Sequence, residues 1–265
     1  MNAAIELADQ ILLRTDRNGV ATLTMNRPDA RNALSGSLIA ALQSELDAIG
    51  ADPGVRVVVL SGAGPAFSSG HDLKEVRADT SEAACDALMS GCSRMMLTIT
   101  RLPQPVIAKV HGTASAAGCQ LVATCDLAVA ASTARFATPG VNIGLFCSTP
   151  MVPLSRVVGR KAAMRMLLTG DLIDAATALA IGLVNDVVAP EELEGTVASL
   201  AEKIAGKSPA VLALGKQAFY HQIEMTLPDA YRYAGGVMTR NMQLDDAAEG
   251  IGAFIDKRSP VWKGH

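Results

Sequence analysis

Two turns rich in small residues could present backbone amides to one ligand. Of the eight residues from Gly112 to Cys119, six are Gly, Ala or Ser, and a second small-residue stretch runs from Gly62 to Gly70. Each stretch follows an apolar run that predicts a buried strand and leads to a predicted helix start, where backbone N–H groups lack partners. Two such N–H groups converging on one carbonyl oxygen would form an oxyanion hole, which stabilises negative charge on that oxygen.

Other sites built on glycine, serine or cysteine are not indicated. GAGPAF (62–67) lacks the third glycine of a dinucleotide fingerprint, and no GxxxxGK[ST] phosphate loop occurs. Ser115 lies in GTASAAG rather than GxSxG, so a hydrolase nucleophile there is disfavoured. The spacing of the five cysteines does not match a zinc site, which predicts buried, reduced thiols and no metal.

Composition and charge narrow the class of protein. The chain of 265 residues is 49% hydrophobic and carries a formal net charge of −3, so neither nucleic acid nor an anionic membrane is expected as a partner. No apolar run approaches the ~18 residues of a transmembrane helix. Residues 1–20 resemble neither a signal peptide nor a transit peptide, which favours a cytoplasmic location.

Hydrophobic patterns predict an α/β fold. A hairpin over residues 10–25 should turn at Asn18-Gly19, and apolar spacing predicts a helix over 35–49. Buried strands are predicted at 55–62, 105–112 and 126–132, and a long helix at 81–102. Strands and helices alternate up to residue 140, which indicates parallel pairing. Beyond residue 149 one predicted helix follows another, interrupted only by a strand-like stretch at 183–189. No linker separates this helical part from the preceding part, so a single folding unit is expected.

Six motifs in chain order resemble the crotonase (enoyl-CoA hydratase/isomerase) family. They are MNRPDARNALS (25–35), GPAFSSGHDLKEV (64–76), AAGCQLVATCDLAVAA (116–131), FATPGVNIGLF (136–146), LLTGDLIDAATALAIGLVNDVV (167–188) and EGIGAFIDKRSPVW (249–262). The resemblance covers nearly the whole chain and is nearest the branch of enoyl-CoA hydratase domain-containing proteins. It implies a spiral of ββα units as the core (1–200). It also implies a helical C-terminal region (201–265) that packs on the core or a neighbouring subunit in a trimer or hexamer.

The resemblance also implies an acyl-CoA substrate and assigns roles at the two turns. The backbone amides of His71 and Ala117 would hold the thioester carbonyl and stabilise an enolate. No separate cofactor is implied, because coenzyme A is part of the substrate. The coenzyme A positions would be Ser69, Asp72, Leu73 and Lys74, with Arg27 and Lys257 as phosphate contacts. Asp72 and Glu75 are also expected to cap, or to lie in the first turn of, a helix that begins near Leu73.

The chain departs from the family at two positions that matter for proton transfer. Family hydratases use two glutamates, which by motif alignment fall at Gln120 and Gly140 in this sequence. A carboxamide cannot exchange a proton near neutral pH, and each acid–base group typically contributes ~10²–10⁴-fold. Ordinary hydratase activity is therefore expected to be weak. Alternatively, Gln120 satisfies backbone groups at a helix start, and Gly140 provides a positive φ.

Several functions remain open from the sequence. The leading one is an acyl-CoA protein of the hydratase class; the others are decarboxylation of a malonyl-type thioester, which needs no base, and acyl-CoA binding without catalysis. The His71 imidazole could titrate near neutrality, although the motif assigns only its backbone. Asp126, which follows a helix and opens a strand, is expected to form structural hydrogen bonds.

Overall fold

Two sheets and eleven helices make up the part of the chain that the computed structural model of the protein describes, residues 10–264. The larger sheet has six strands in the spatial order β1-β2-β3-β5-β7-β10, and all neighbours except β1 and β2 are parallel. Its strands are β1 (Leu12–Arg17), β2 (Val20–Met25), β3 (Val57–Gly62), β5 (Val106–Val110), β7 (Leu127–Ala131) and β10 (Asp186–Val188).

The predicted hairpin joins β1 and β2. Asn18 and Gly19 both have positive φ (52° and 75°), as a two-residue type I′ turn requires, and Arg17 pairs with Val20 across it. Because β1 and β2 are antiparallel, β2 can then pair with β3 in parallel, as the remaining strands do. The predicted hairpin is confirmed.

Helices cover both faces of the larger sheet. Val58 and Leu60 of β3 face the main core, to which α1 (Gly36–Gly50) and α3 (Glu82–Arg101) contribute. Val57 and Val59 face the opposite way and pack against α8 (Leu193–Ala205). Burial on both faces explains why the strand sequence is an unbroken apolar run rather than an alternation.

The helices lie close to their predicted positions. The Ser35 side chain caps α1 by accepting a hydrogen bond from Leu38 N, and Ser81 caps α3 through Ala84 N. The remaining helices are α2 (Leu73–Ala78), α4 (Ala117–Thr124), α5 (Met151–Val157), α6 (Arg160–Thr169), α7 (Ala175–Ala180), α9 (Pro209–Gln222), α10 (Leu227–Asn241) and α11 (Asp245–Ile255).

A second sheet of four short strands was not predicted. It has the order β4-β6-β8-β9, formed by β4 (Ala66–Ser68), β6 (Thr113–Ser115), β8 (Arg135–Ala137) and β9 (Ile173–Asp174). Strands of two or three residues inside small-residue turns carry no detectable periodicity. In each of three successive pairs, β3–β4, β5–β6 and β7–β8, the first strand belongs to the larger sheet and the second to the smaller one. This arrangement confirms the predicted ββα spiral.

The C-terminal helices join the core through buried polar contacts. Lys216 and Tyr220 of α9 both bind the carboxylate of Asp126, at the start of β7. Across residues 10–264, none of the helices is long and apolar enough to cross a membrane. The targeting prediction for residues 1–20 falls partly on residues 1–9, outside the described residues. Whether 201–265 contacts a neighbouring subunit stays a prediction.

Candidate functional site

The candidate site lies where three parallel strands of the smaller sheet end. Strands β4, β6 and β8 are neighbours and all run in the same direction, so their carboxyl ends share one edge. The segments that follow them are Gly70-His71, Ala116-Ala117 and Thr138 to Gly140. In sheets of this kind, ligands bind at the carboxyl ends of the strands. The fold therefore brings both predicted oxyanion turns and the Gly140 segment to one edge.

Two glycines let the first two turns pack backbone against backbone. A Cβ atom at Gly70 would lie 2.8 Å from Ala116 Cβ and 3.2 Å from Ala117 N. A Cβ atom at Gly118 would lie only 2.3 Å from Ser68 O. Gly70 also has a φ of +94°, which side chains disfavour. The two glycines thus permit the backbone of Gly70, the residue before His71, to approach Ala116 and Ala117 closely.

Neither of these two amides donates a hydrogen bond within residues 10–264. On the first turn, Leu34 accepts from Asp72 N and donates to Gly70 O, which leaves the intervening His71 N–H unpaired. On the second turn, Ala117 is the first residue of α4, so the helix offers it no acceptor. The positive end of the helix dipole adds to the attraction for negative charge at this point.

The second turn is held in a strained backbone conformation. Ala116 has φ 49° and ψ −118°, a region that residues with a Cβ rarely adopt. Such strain costs about 1–3 kcal/mol and persists only where surrounding contacts fix it. Here Ala116 N donates to Ala137 O at 2.9 Å, and Ala116 O accepts from Gln120 N at 3.0 Å. These bonds tie the Ala117 amide to both β8 and α4.

The first turn is fixed by an ion pair. Arg27 Nη2 donates to Asp72 Oδ2 at 2.9 Å, and Arg27 Nη1 donates to Ala33 O at 2.6 Å. The Arg27 guanidinium, with the N–H of Lys74, holds the pKa of the Asp72 carboxyl below its ordinary value. Asp72 caps α2 by accepting from Lys74 N, as predicted. Both terminal nitrogens of Arg27 are therefore engaged within the protein.

Three side chains at this edge have buried polar atoms without a hydrogen-bond partner among the described residues. They are His71 (both ring nitrogens), Gln120 (Oε1) and Thr138 (Oγ1). Burial lowers the pKa of the His71 imidazole, so the ring is neutral near pH 7. Unpartnered buried polar atoms are rare in proteins and need an explanation. The prediction that Gln120 satisfies backbone groups is wrong, because its Oε1 binds none and α4 has no side-chain cap.

The position of the second family glutamate is closed by neighbouring atoms. Gly140 does not have a positive φ, so the conformational explanation for this glycine is wrong. Its role is steric: a Cβ atom there would lie 2.7 Å from Leu145 O and 3.0 Å from Cys147 Sγ. Gly140 N donates to Cys147 Sγ at 3.3 Å. Burial raises the pKa of the Cys147 thiol, and it raises that of Cys119 to about 12, so both are protonated.

The residues predicted to contact coenzyme A lie in two places, the first turn and the C-terminal segment. Ser69 donates through its N–H to Arg31 O, while Leu73 and Lys74 are exposed beside the first turn. Lys74 forms no ion pair with any described residue, and neither does Arg31, a cation that the motif assignment missed. Lys257 lies beyond α11 on the exposed C-terminal segment, and no hydrogen bond joins it to either turn. Among the described residues, no group of His, Cys, Asp or Glu could hold a metal ion.

Known proteins match this chain over nearly its whole length. A family model described as enoyl-CoA hydratase/isomerase matches residues 15–265. The crystal structure of an enoyl-CoA hydratase from Mycobacterium smegmatis is 52% identical, with a TM-score of 0.94 over 96% of this chain and 99% of that one. The chain belongs to the enoyl-CoA hydratase/isomerase family. The predicted resemblance is confirmed.

The comparison also bears on the predicted branch and location. Human enoyl-CoA hydratase domain-containing protein 3 is 44% identical in its crystal structure, with a TM-score of 0.93 over 96% of this chain and all (100%) of that one. The mitochondrial protein of that name from Xenopus laevis is 47% identical over 92% of this chain and 83% of its own length. The branch is confirmed. The predicted cytoplasmic location is wrong, because this relative and its rat, mouse and human counterparts are all named mitochondrial.

Proposed function

We propose that the protein binds an acyl-CoA thioester, with the thioester carbonyl held by the N–H groups of His71 and Ala117. The observation that carries this proposal is the pair of unpaired amides, brought together by Gly70 and Gly118. An oxyanion needs donors that no protein group already occupies, and these two meet that condition. Membership of the enoyl-CoA hydratase/isomerase family supports the choice of ligand.

Ordinary hydratase turnover is expected to be slow. Gln120 cannot transfer a proton, and Gly140 has no side chain to supply a carboxylate. The buried thiols of Cys119 and Cys147 are protonated and weakly acidic, so they do not replace the missing bases. Two amides still stabilise an enolate, which favours chemistry that forms one without a base.

Decarboxylation of a malonyl-type thioester is the second candidate. The observation that favours it is the neutral lining of the site, with an unionised imidazole, a carboxamide and a hydroxyl. The bond between Cα and the carboxylate would break, carbon dioxide would leave, and the electron pair would form the enolate at the two amides. A solvent proton would then complete the product. None of these steps requires proton removal by the protein.

Calorimetric titration with butyryl-CoA, together with assays of crotonyl-CoA hydration and malonyl-CoA decarboxylation, tests both candidates. Saturable binding with malonyl-CoA turnover and slow hydration is the expected result. Fast hydration proportional to enzyme would show that another acid–base pair exists. Binding without turnover of either ester would identify an acyl-CoA binder, and absence of binding would refute the proposal.

The coenzyme A end of the ligand is assigned to the exposed side of the first turn. Leu73 is exposed and could contact the pantetheine, while Lys74 and Arg31 are cations without an ion pair among the described residues. Cations of this kind suit phosphate groups. Arg27, in contrast, is occupied by Asp72 and Ala33, so we assign it to holding the turn. Lys257 stays a predicted phosphate contact.

We also propose that the chain assembles as the predicted homotrimer or hexamer. Large apolar side chains remain exposed on α10 and α11; Tyr231 is 74% and Phe254 85% accessible. Exposed apolar surface on this scale marks an interaction site in soluble proteins. Light scattering should give a particle mass three or six times that of one chain. The substitution Phe254→Asp should lower this mass towards that of a single chain. A monomeric wild-type protein would refute this assembly.

A further inference from the structure

Helices α9 and α10 leave a groove between them, and none of the residues that line it belongs to either turn of the candidate site. Two adjoining cavities of about 460 and 290 Å³ form this groove, with Met238 and Asn241 lining both. On α9 the lining recurs at every third or fourth position, from Val211 through Gly215 to Gln222, which is one face of the helix. This stretch of helix is about 17 Å long, so the groove has the shape of an extended chain.

The groove is lined mainly by apolar and small residues. Gly215 and Ala218 on α9 face Ala234 on α10 across the smaller cavity. A Cβ atom at Gly215 would meet no described atom within 4 Å, and Met238 is 55% exposed although it lines both cavities. Ligand pockets are mostly apolar, measure ~300–1,000 Å³ and contain a few polar groups that orient the ligand. The polar groups at this groove therefore decide which ligand it suits.

Two of these polar groups are already used within the protein. Ser208 Oγ caps α9 by accepting a hydrogen bond from Val211 N at 3.2 Å. The buried Asp246 carboxylate accepts from Lys263 N at 2.7 Å and from Gly264 N at 3.0 Å. Backbone donors thus compensate the charge of Asp246, and neither group remains for a ligand.

Two other polar groups of the lining are uncommitted. The Lys207 ammonium and the Asn241 carboxamide form no hydrogen bond or ion pair with any residue in 10–264, and both line the larger cavity. Arg56 Nη2 donates to Lys207 O at 2.7 Å, which sets a second cation beside this end of the groove. The smaller cavity is lined by no charged residue. The groove therefore combines a long apolar part with one cationic end.

We propose that this groove binds a free aliphatic carboxylate, with its carboxylate at Lys207 and Asn241 and its chain along α9 towards Gln222. An ammonium and a carboxamide both donate hydrogen bonds to carboxylate oxygens, and the apolar part of the groove suits an alkyl chain. This site needs neither coenzyme A nor the two amides. Tyr231 and Phe254, which we assign to assembly, do not line it.

Trp262 reports on the groove, because it is the one tryptophan in the chain and lines the larger cavity. Equilibrium dialysis of the full chain with decanoate measures binding, and Trp262 fluorescence locates it. The wild-type protein should bind decanoate saturably, with a change in emission over the same concentration range. Lys207→Met should weaken decanoate binding about twofold to fivefold, as expected for one exposed charge, and leave binding of decan-1-ol unchanged. Lys203→Met, an exposed lysine outside the lining, is the matched control.

Gly215→Leu tests the position of the chain. The leucine side chain would occupy the groove and should abolish decanoate binding. The melting temperature should not fall, since the added Cβ atom meets no described atom within 4 Å and leucine favours a helix more than glycine does. Gly235→Leu is the matched control: its Cβ atom is equally free on α10, but Gly235 does not line the groove.

The outcomes distinguish this site from the proposed acyl-CoA site. Absence of saturable decanoate binding, or binding without a change in Trp262 emission, overturns the proposal. So does binding that survives Gly215→Leu or that saturating butyryl-CoA displaces. A lower melting temperature or particle mass in Gly215→Leu would show that protein, from this chain or a second copy, fills the groove. Equal effects of Lys207→Met and Lys203→Met would overturn the carboxylate contact. Failure of butyryl-CoA to bind would refute the proposed function alone.

Discussion

Two clusters of buried polar groups in this protein differ in how their hydrogen bonds are satisfied. In the first, Asp126 accepts from Lys216 Nζ at 2.6 Å, from Tyr220 Oη at 2.8 Å and from Val106 N at 2.7 Å. Lys216 donates further to two backbone carbonyls. In the second, at the carboxyl ends of β4, β6 and β8, His71, Gln120 and Thr138 have unpartnered atoms.

The difference separates a structural cluster from the proposed ligand site. Burial of a charged pair is tolerated in the first cluster because every partner is present, and the predicted structural role of Asp126 is confirmed. Burial in the second cluster is costly for the free protein, and under the proposed function a ligand would supply the missing partners. Unsatisfied atoms therefore indicate function here more clearly than burial or charge does.

The largest expected effect follows from breaking the satisfied cluster. Asp126→Ala should lower the free energy of unfolding by about 3 kcal/mol, because it leaves the Lys216 ammonium buried without its counter-charge. Butyryl-CoA affinity of the folded protein should remain, since Asp126 lies outside the site. Denaturant titration and calorimetry measure the two quantities, with Asp171→Ala as an exposed control. A loss of affinity without loss of stability would remove the distinction between the clusters.

A nearly equal effect is expected on binding and turnover when the two amides are forced apart. Gly70→Ala should reduce malonyl-CoA turnover by about 10²–10³-fold, which is the contribution of one oxyanion donor. The reason is that the added Cβ atom would crowd Ala116 and Ala117 N. Gly182→Ala is the matched control: φ is also positive at +84°, but a Cβ there meets only Val157 O at 3.5 Å. If both variants lose the same activity, backbone strain rather than amide placement is responsible.

A smaller effect distinguishes the cation that holds the first turn from a cation available to a ligand. Arg27→Met should cost about 1–3 kcal/mol of unfolding free energy through loss of its bonds to Asp72 and Ala33. Lys74→Met should leave stability unchanged and weaken CoA-ester binding, most clearly at low salt. Unfolding curves and titrations at two salt concentrations check both. The reverse pattern would place Arg27, rather than Lys74, at the phosphates.

The smallest effect is the pH dependence caused by His71. Its pKa in the folded protein lies below the ordinary 6.5, so the unfolded chain takes up a proton first as the pH falls. Stability should therefore be unaffected above about pH 7 and decrease as the pH falls below 6.5 towards the folded-state pKa. His71→Asn should remove this decrease in unfolding curves, while the loss caused by Asp72 below about pH 4 should persist. An unchanged profile would mean that the imidazole is not desolvated.

Local sequence patterns determined most of the larger sheet and its helices. Asn18-Gly19 specified a turn that only positive φ permits, and the unbroken run from Val57 specified a strand buried on both faces. Spacing of apolar residues specified α1 and α3, and the structure adds that Ser35 and Ser81 cap them. The ordered motifs gave the family, and the small residues of both turns indicated an amide site.

Only the tertiary structure decided which polar groups at that site are already used. Whether Arg27 is occupied or available depends on Asp72, which lies 45 residues away in the chain. The state of Thr138 has no local signal in the sequence, because its Oγ1 is left without a partner only after the chain folds and β8 packs beside β6. Gly140 is explained by Leu145 and Cys147, not by its own φ. Hydrogen bonds and close contacts between distant residues form only on folding, so local patterns carry no record of them.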